Sequence, residues 1–129
     1  LSIKTIGKKG KRKILIVEDE AISALAMNMI LRDMGFITCQ PAATGKKALE
    51  QLAREQPDIV LMDINLTGDL DGIETVRMMP HVNRPAIIFI TGYSSPDLLK
   101  RARALKPAAI FIKPVKPLDL KSAIDAALE

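Results

Sequence analysis

Tryptophan is absent from this chain of 129 residues, and cysteine, histidine and tyrosine occur once each, as Cys39, His81 and Tyr93. A single cysteine excludes an internal disulfide, and one thiol with one imidazole falls short of the ligand count of a usual zinc site. The lone thiol also points to a reducing, cytoplasmic setting. No apolar run approaches the roughly 20 residues that span a bilayer, and the first residues, Leu1 to Lys13, lack the apolar stretch of a signal peptide. With aromatics at only 3% of the chain, the core must be aliphatic, and the six methionines read as packing residues. His81 follows Pro80 in an expected loop and reads as a solvated surface residue without chemistry.

The formal charge of +4 is unevenly spread. Lys4, Lys8, Lys9, Lys11 and Arg12 precede the first apolar run. Residues 13–129 then hold 14 basic and 15 acidic side chains, a net of −1. The expected organisation is a basic flexible tail or linker over residues 1–12 and one domain over residues 13–129, long enough to bury its own core. The chain opens on Leu1, so a processed or excised chain is expected, its first residues either partly foreign or part of a connection with another domain.

The stretch that organises the rest is Ile59-Val60-Leu61-Met62-Asp63-Ile64-Asn65. Its four leading apolar residues lie between Pro57-Asp58 and the Gly-containing segment Leu66 to Gly72, the pattern of a strand buried on both faces of a parallel sheet. Asp63 falls at the carboxyl end of that strand, the edge where open α/β sheets bind ligands. Lys13 to Val17 reads as a first strand ending in Glu18-Asp19-Glu20. A helical period follows, with Ile22, Leu25, Ala26, Met29 and Ile30 expected on the packed face and Asn28 and Arg32 opposite, ending at Gly35 as the C′ residue. Phe36 to Gln40 is expected as a second strand near an edge. Thr44 caps a second helix that stops before Pro57.

Asp71-Gly72-Ile73-Glu74 has capping-box spacing and opens a short third helix ending near Met79-Pro80. Ala86 to Ile90 is a fourth strand, and Ser95-Pro96-Asp97 starts a helix that stops before Pro107. Ala109 to Ile112 is a fifth strand, and Pro117 opens a last helix. Five strands alternating with five helices predict a parallel sheet with helices on both faces. Its strand ends bring Glu18 and Asp19, Asp63, Thr91 and Lys113 to one edge. Three carboxylates so gathered raise one another's pKa unless a cation neutralises them.

Ile16-Val17-Glu18-Asp19-Glu20, Leu61-Met62-Asp63-Ile64-Asn65, Asp71-Gly72, Thr91-Gly92 and Lys113-Pro114, in this order over residues 13–129, resemble the response-regulator receiver domain. The resemblance implies a flavodoxin-like α/β fold with strand order 2-1-3-4-5. It implies Asp63 as phosphoacceptor and an Mg²⁺ or other divalent-cation site of Glu18, Asp19, Asp63 and the backbone carbonyl of Asn65. Thr91 would contact the phosphoryl group and Lys113 would pair with it. The implied protein is a cytoplasmic phosphoacceptor switch with self-catalysed phosphorylation and dephosphorylation, not an enzyme on other substrates. Its donor would be phosphohistidine on a sensor kinase or histidine phosphotransfer protein.

Output would pass to a protein partner or a homodimer through the fourth helix, fifth strand and fifth helix. Lys100, Arg101, Arg103 and Lys106 there suit an acidic partner. No membrane contact is expected, and no nucleic-acid binding by the body. The chain's end in the last helix leads to the expectation of output through another protein or a separate domain.

Departures are visible as well. Thr67 stands where the family usually has proline, four residues after the phosphoacceptor, and the loop Thr67-Gly68-Asp69-Leu70 is one residue longer than common. Ile110 replaces the usual aromatic switch residue, so Tyr93 becomes the switch candidate. Phe89-Ile90-Thr91-Gly92-Tyr93 resembles the "FAT GUY" motif of mostly single-domain receivers, with Ile90 in place of Ala.

Two other enzyme or cofactor classes fit less well. A haloacid-dehalogenase-like phosphatase needs a second acid two residues after Asp63, where Asn65 stands. A flavodoxin-like cofactor binder needs a phosphate loop where Glu18-Asp19-Glu20 would repel phosphate. The remaining alternative is a degenerate receiver acting as a phosphorylation-independent scaffold.

Overall fold

A computed structural model describes residues 12–93 and 95–129; Lys4, Lys8, Lys9 and Lys11 of the basic tail, and Ser94, lie outside the described residues. The strands are β1 (Lys13–Val17), β2 (Ile37–Thr38), β3 (Ile59–Asp63), β4 (Ala86–Thr91) and β5 (Ala109–Ile112). The helices are α1 (Ala21–Asp33), α2 (Gly45–Glu55), α3 (Gly72–Arg77), α4 (Pro96–Arg103) and α5 (Pro117–Ala127). All strand pairs are parallel, as the alternation of strands and helices predicts, and their order β2-β1-β3-β4-β5 is the one the receiver resemblance implies.

Successive residues of a strand face opposite sides, and the sheet sorts its apolar residues accordingly. Leu15, Val17, Val60, Met62, Ile87 and Phe89 pack with Ala48 of α2, Ile73 and Val76 of α3 and Ala102 of α4. Ile14, Ile16, Ile59, Leu61, Ile88 and Ile90 pack with Ala24 and Leu31 of α1 and Leu120 and Ile124 of α5. Each fully buried side chain of this size stabilises the fold by roughly 1.5–3 kcal/mol, so losing one strand's alternation would undo it. Among the described residues no helix is long and apolar enough to cross a membrane.

Local signals set the helix starts. Thr44 accepts the Lys47 N–H at 3.0 Å, and Ser95 accepts the Leu98 N–H at 3.1 Å. Asp71 and Glu74 close the capping box with bonds of 2.8 and 2.9 Å. Gly35 follows α1 with φ of 93°, a conformation that glycine adopts without steric cost.

Four expectations need correction. β2 is shorter than Phe36–Gln40: Cys39 and Ala42 still donate to Ile14 and Ile16, but Pro41 has no N–H to continue the ladder. The packed face of α1 is Ala24 and Leu31, with Met27 and Met34 beside them. Ile22, Leu25 and Met29 are instead 85%, 60% and 59% exposed. Asn28 and Arg32 are not simply solvated either, since both engage the Thr38 hydroxyl of β2, at 2.6 and 3.3 Å. Met62 and Met79 are buried as expected, whereas Met29 and Met78 are exposed.

Candidate functional site

The register of the sheet brings the strand ends together. Met62 lies beside Val17 and Asp63 beside Ile90, so Glu18 and Asp19 emerge from β1 next to the end of β3. Glu18, Asp19 and Asp63 each bring a carboxylate oxygen within 4.8 Å of the others. Glu18 and Asp63 are buried and Asp19 is half-buried. β5 supplies the cation: Lys113 donates its backbone N–H to the Thr91 carbonyl at 2.8 Å, and its Nζ lies 2.8 Å from Glu18 Oε1.

Burial pushes the Asp63 carboxyl up to about 6. The Asn65 N–H opposes that rise, the charge of Glu18 adds to it and that of Lys113 opposes it. Lys113 would be lowered by burial, but its hydrogen bond to Glu18 and the acids around it raise it above its ordinary value. Asp19 would be raised by burial, yet the bonds it accepts from Thr67 bring it below the usual carboxylate range. Cys39 is buried in the core and pushed up to about 11, which leaves it an inert thiol.

The turn after β3 is tight. Asn65 donates its N–H to Asp63 Oδ1 at 3.0 Å, and Gly72 donates to the Ile64 carbonyl at 2.9 Å. A Cβ on Gly72 would collide with the Asp63 carbonyl oxygen, so only glycine lets the start of α3 lie against the strand end. Thr67, farther along the loop, donates both its N–H and its hydroxyl to Asp19 Oδ2, at 3.2 and 3.0 Å.

Thr91 is fully buried at the end of β4. Its hydroxyl contacts the Asn65 side-chain oxygen and, at 2.6 Å, the Tyr93 carbonyl. One hydroxyl proton serves one acceptor at a time, so Thr91 couples the turn after β3 to the loop after β4. The Tyr93 side chain is 69% exposed. Ile110 is half-buried against the core beneath α4.

Glu18, Asp19, Asp63 and Lys113 therefore assemble at one edge, with Asn65 and Thr91 bonded to each other beside them. Two contacts escaped the sequence reading: the Glu18–Lys113 pair and the hold of Thr67 on Asp19. Thr67 was visible as a residue standing where a proline is usual, and its two donors were the available signal. The donor set is all oxygen and anionic, which suits a hard divalent cation such as Mg²⁺ and not a metal that wants sulfur or imidazole. The open cleft that touches Glu18, Asp63 and Lys113 has a volume of about 50 Å³. That is far below the several hundred Å³ of a pocket for a nucleotide-sized ligand.

Residues 14–125 match the family model described as response regulator receiver domain. The chain is 32% identical over 117 residues to the transcriptional regulatory protein PdtaR of Mycobacterium tuberculosis, covering 91% of this chain and 57% of that protein. This chain thus spans a little over half the length of that relative. It is 32% identical to sporulation initiation phosphotransferase F of Bacillus subtilis, covering 87% of this chain and 90% of the relative. The signal receiver domain of a modulated diguanylate cyclase from Desulfovibrio desulfuricans superposes with a TM-score of 0.85 at 31% identity, over 92% of this chain and 94% of the other. A CheY-like receiver domain protein from Methanospirillum hungatei gives 0.81 at 29% identity, with the same coverages.

Proposed function

Because the chain belongs to the response-regulator receiver family of two-component signalling, we propose that Asp63 accepts a phosphoryl group from phosphohistidine on a sensor kinase or a histidine phosphotransfer protein. The observation that carries this reading is the group of Glu18, Asp19 and Asp63 with Lys113 at one sheet edge. An Asp63 carboxylate oxygen attacks phosphorus, the P–N bond breaks, and its electron pair stays on the donor's imidazole. Transfer of this kind needs positioning and charge neutralisation more than covalent chemistry.

Glu18, Asp19 and Asp63, with the Asn65 backbone carbonyl, are the residues that would hold Mg²⁺. When bound, the ion neutralises negative charge on the transferring group. Lys113 is placed to turn from Glu18 toward the phosphoryl oxygens. Thr91 would donate its hydroxyl hydrogen bond to the same group. The Tyr93 carbonyl then loses that bond, and the loop after β4 is released to move, with Tyr93 as the exposed reporter of the change.

The donor needs a surface beside the site, and α1 leaves Ile22, Leu25 and Met29 exposed next to Glu18 and Asp19. That stripe suits the apolar flank of a donor protein. Output would pass through α4, β5 and α5 to a protein partner or a second copy of the chain. Lys100 and Arg103 on α4 and Lys106 just beyond it are exposed there, as are Ile112 and Leu118.

Mass spectrometry tests the chemical step. The intact protein incubated with acetyl phosphate and Mg²⁺ should gain one phosphoryl group, and Asp63→Asn should gain none. An unmodified parent protein would favour a scaffold that binds partners without phosphorylation.

A further inference from the structure

The acidic group is joined by a loop residue with a different chemistry. Thr67 lies four positions beyond Asp63, yet it reaches back across 48 positions of the chain to Asp19. Both of its donors converge on one atom, Oδ2, with the N–H at 3.2 Å and the hydroxyl at 3.0 Å. Two bonds to one oxygen fix the carboxylate's position and rotation and leave the other oxygen, Oδ1, unused by Thr67. Asp19 is the least buried of the three acids, so packing constrains it least and the bonds it accepts do more to set its position. A proline at this position would have neither an N–H nor a hydroxyl to offer.

We infer that Thr67 is a positioning residue for divalent-cation binding, a clasp that holds Asp19 Oδ2 so that Oδ1 is presented to an ion shared with Glu18 and Asp63. The inference rests on the proposed phosphoacceptor reading of the same site. Groups that hydrogen-bond to a ligating carboxylate typically change metal affinity by 10- to 100-fold when lost. Here the N–H remains in most substitutions, so removal of the hydroxyl alone belongs at the lower end. The clasp also ties the loop after the phosphoacceptor to the end of β1, so an ion that engages Asp19 is linked to the conformation of residues 65–70.

The test is titration of the purified chain with Mn²⁺, a paramagnetic stand-in for Mg²⁺, followed by electron paramagnetic resonance, for the parent and for Thr67→Val, Thr67→Ser and Thr67→Pro. Thr67→Val, which keeps the shape and loses the hydroxyl, should weaken Mn²⁺ binding roughly 10-fold. Thr67→Ser should stay within about twofold of the parent, and Thr67→Pro should bind more weakly than Thr67→Val. Metal-free melting temperatures should be nearly equal for the parent, Thr67→Val and Thr67→Ser, since the loop is exposed. Equal affinity of Thr67→Val and the parent would overturn the inference, as would equal losses in Thr67→Val and Thr67→Ser, which would assign the effect to loop packing. If the parent gains phosphate from acetyl phosphate while Thr67→Val keeps full Mn²⁺ affinity, only the clasp fails. A parent that neither binds Mn²⁺ nor gains phosphate removes the phosphoacceptor reading and the clasp together.

Discussion

Lys113 pairs with Glu18, at 2.8 Å, and not with Asp63, although both acids are buried at the same edge of the sheet. The ammonium is partly exposed while the carboxylate is buried, so the bond offsets part of the cost of holding Glu18 ionised. Among the described residues, this lysine is the cation paired with the acidic group in the absence of metal. A divalent ion bound by Glu18 would take over that role and free Lys113 for the phosphoryl group.

It follows that Lys113→Met should destabilise the magnesium-free protein and should respond more strongly to added metal. Loss of the partner leaves Glu18 unpaired beside Asp63 and Asp19, and the melting temperature is expected to fall by about 5 °C. Saturating Mg²⁺ should recover most of that loss, a larger upward shift than the parent shows, because binding to the folded state alone stabilises it by mass action. Thermal melts across a magnesium titration check this. Equal shifts in the two proteins would mean that the lysine and the ion do not compete for Glu18.

The elevated Asp63 carboxyl makes a second forecast, for stability against pH. Its folded value of about 6 lies above the ordinary 3.8, so the folded protein binds the proton more tightly than the unfolded chain. The group's favourable contribution is fully present below pH 3.8 and is lost as pH rises through about 6. Asp63→Asn cannot ionise and avoids that loss. Without metal, the variant should match the parent near pH 4 and exceed it above pH 6, by on the order of 2 kcal/mol. Urea denaturation at a series of pH values measures the difference. A gap that is the same at every pH would show that Asp63 is not the titrating group.

How much of this was legible in the sequence depends on the distance over which each feature is decided. Thr44, Ser95 and the Asp71–Glu74 box act over three residues, so the helix starts could be read directly. Asp63, Glu18, Asp19 and Lys113 could be gathered in advance because parallel strands all end at the same edge. α1 was different. Ile22, Leu25 and Met29 recur at helical spacing, and so do Ala24, Met27, Leu31 and Met34, so periodicity alone could not choose the buried face. The choice is made by the sheet, through Ile14, Ile16 and Leu61, which the helix sequence does not contain. The bonds Lys113–Glu18 and Thr67–Asp19 join residues 95 and 48 positions apart, and no local pattern encodes them.

Tyr93 supplies a third prediction. Its ring is exposed, while its backbone carbonyl accepts the Thr91 hydroxyl at 2.6 Å. Tyr93→Ala should therefore change stability by less than about 0.5 kcal/mol and leave phosphorylation of Asp63 intact. The effect should appear as weaker binding of the phosphorylated protein to its output partner, or weaker self-association. Loss of phosphate uptake and of stability together would place Tyr93 in the service of the fold.

The last prediction concerns the face that the sequence alone assigned to the core. Ile22, Leu25 and Met29 expose three large apolar side chains on one side of α1, adjacent to the acids of β1. Three such residues in a row on one helix form a contiguous patch of the kind that marks an interaction site, not the scattered exposure normal for a surface. A protein donor has to bring its phosphohistidine to Asp63 and would cover this patch; a small acyl phosphate would not. Leu25→Asp introduces a charge where that contact would form and leaves the packed side of α1 unchanged, and because Leu25 lines one cleft with Glu18 and Asp19, acetyl phosphate serves as the control for an effect on the acids. It should slow transfer from a phosphohistidine protein at least 10-fold, the equivalent of about 1.4 kcal/mol in the docked complex, while the rate with acetyl phosphate stays as it was. Parallel transfer assays with the two donors measure this directly. Equal slowing with both would trace the effect to the site itself, and unchanged rates with both would leave the α1 stripe without a part in donor recognition.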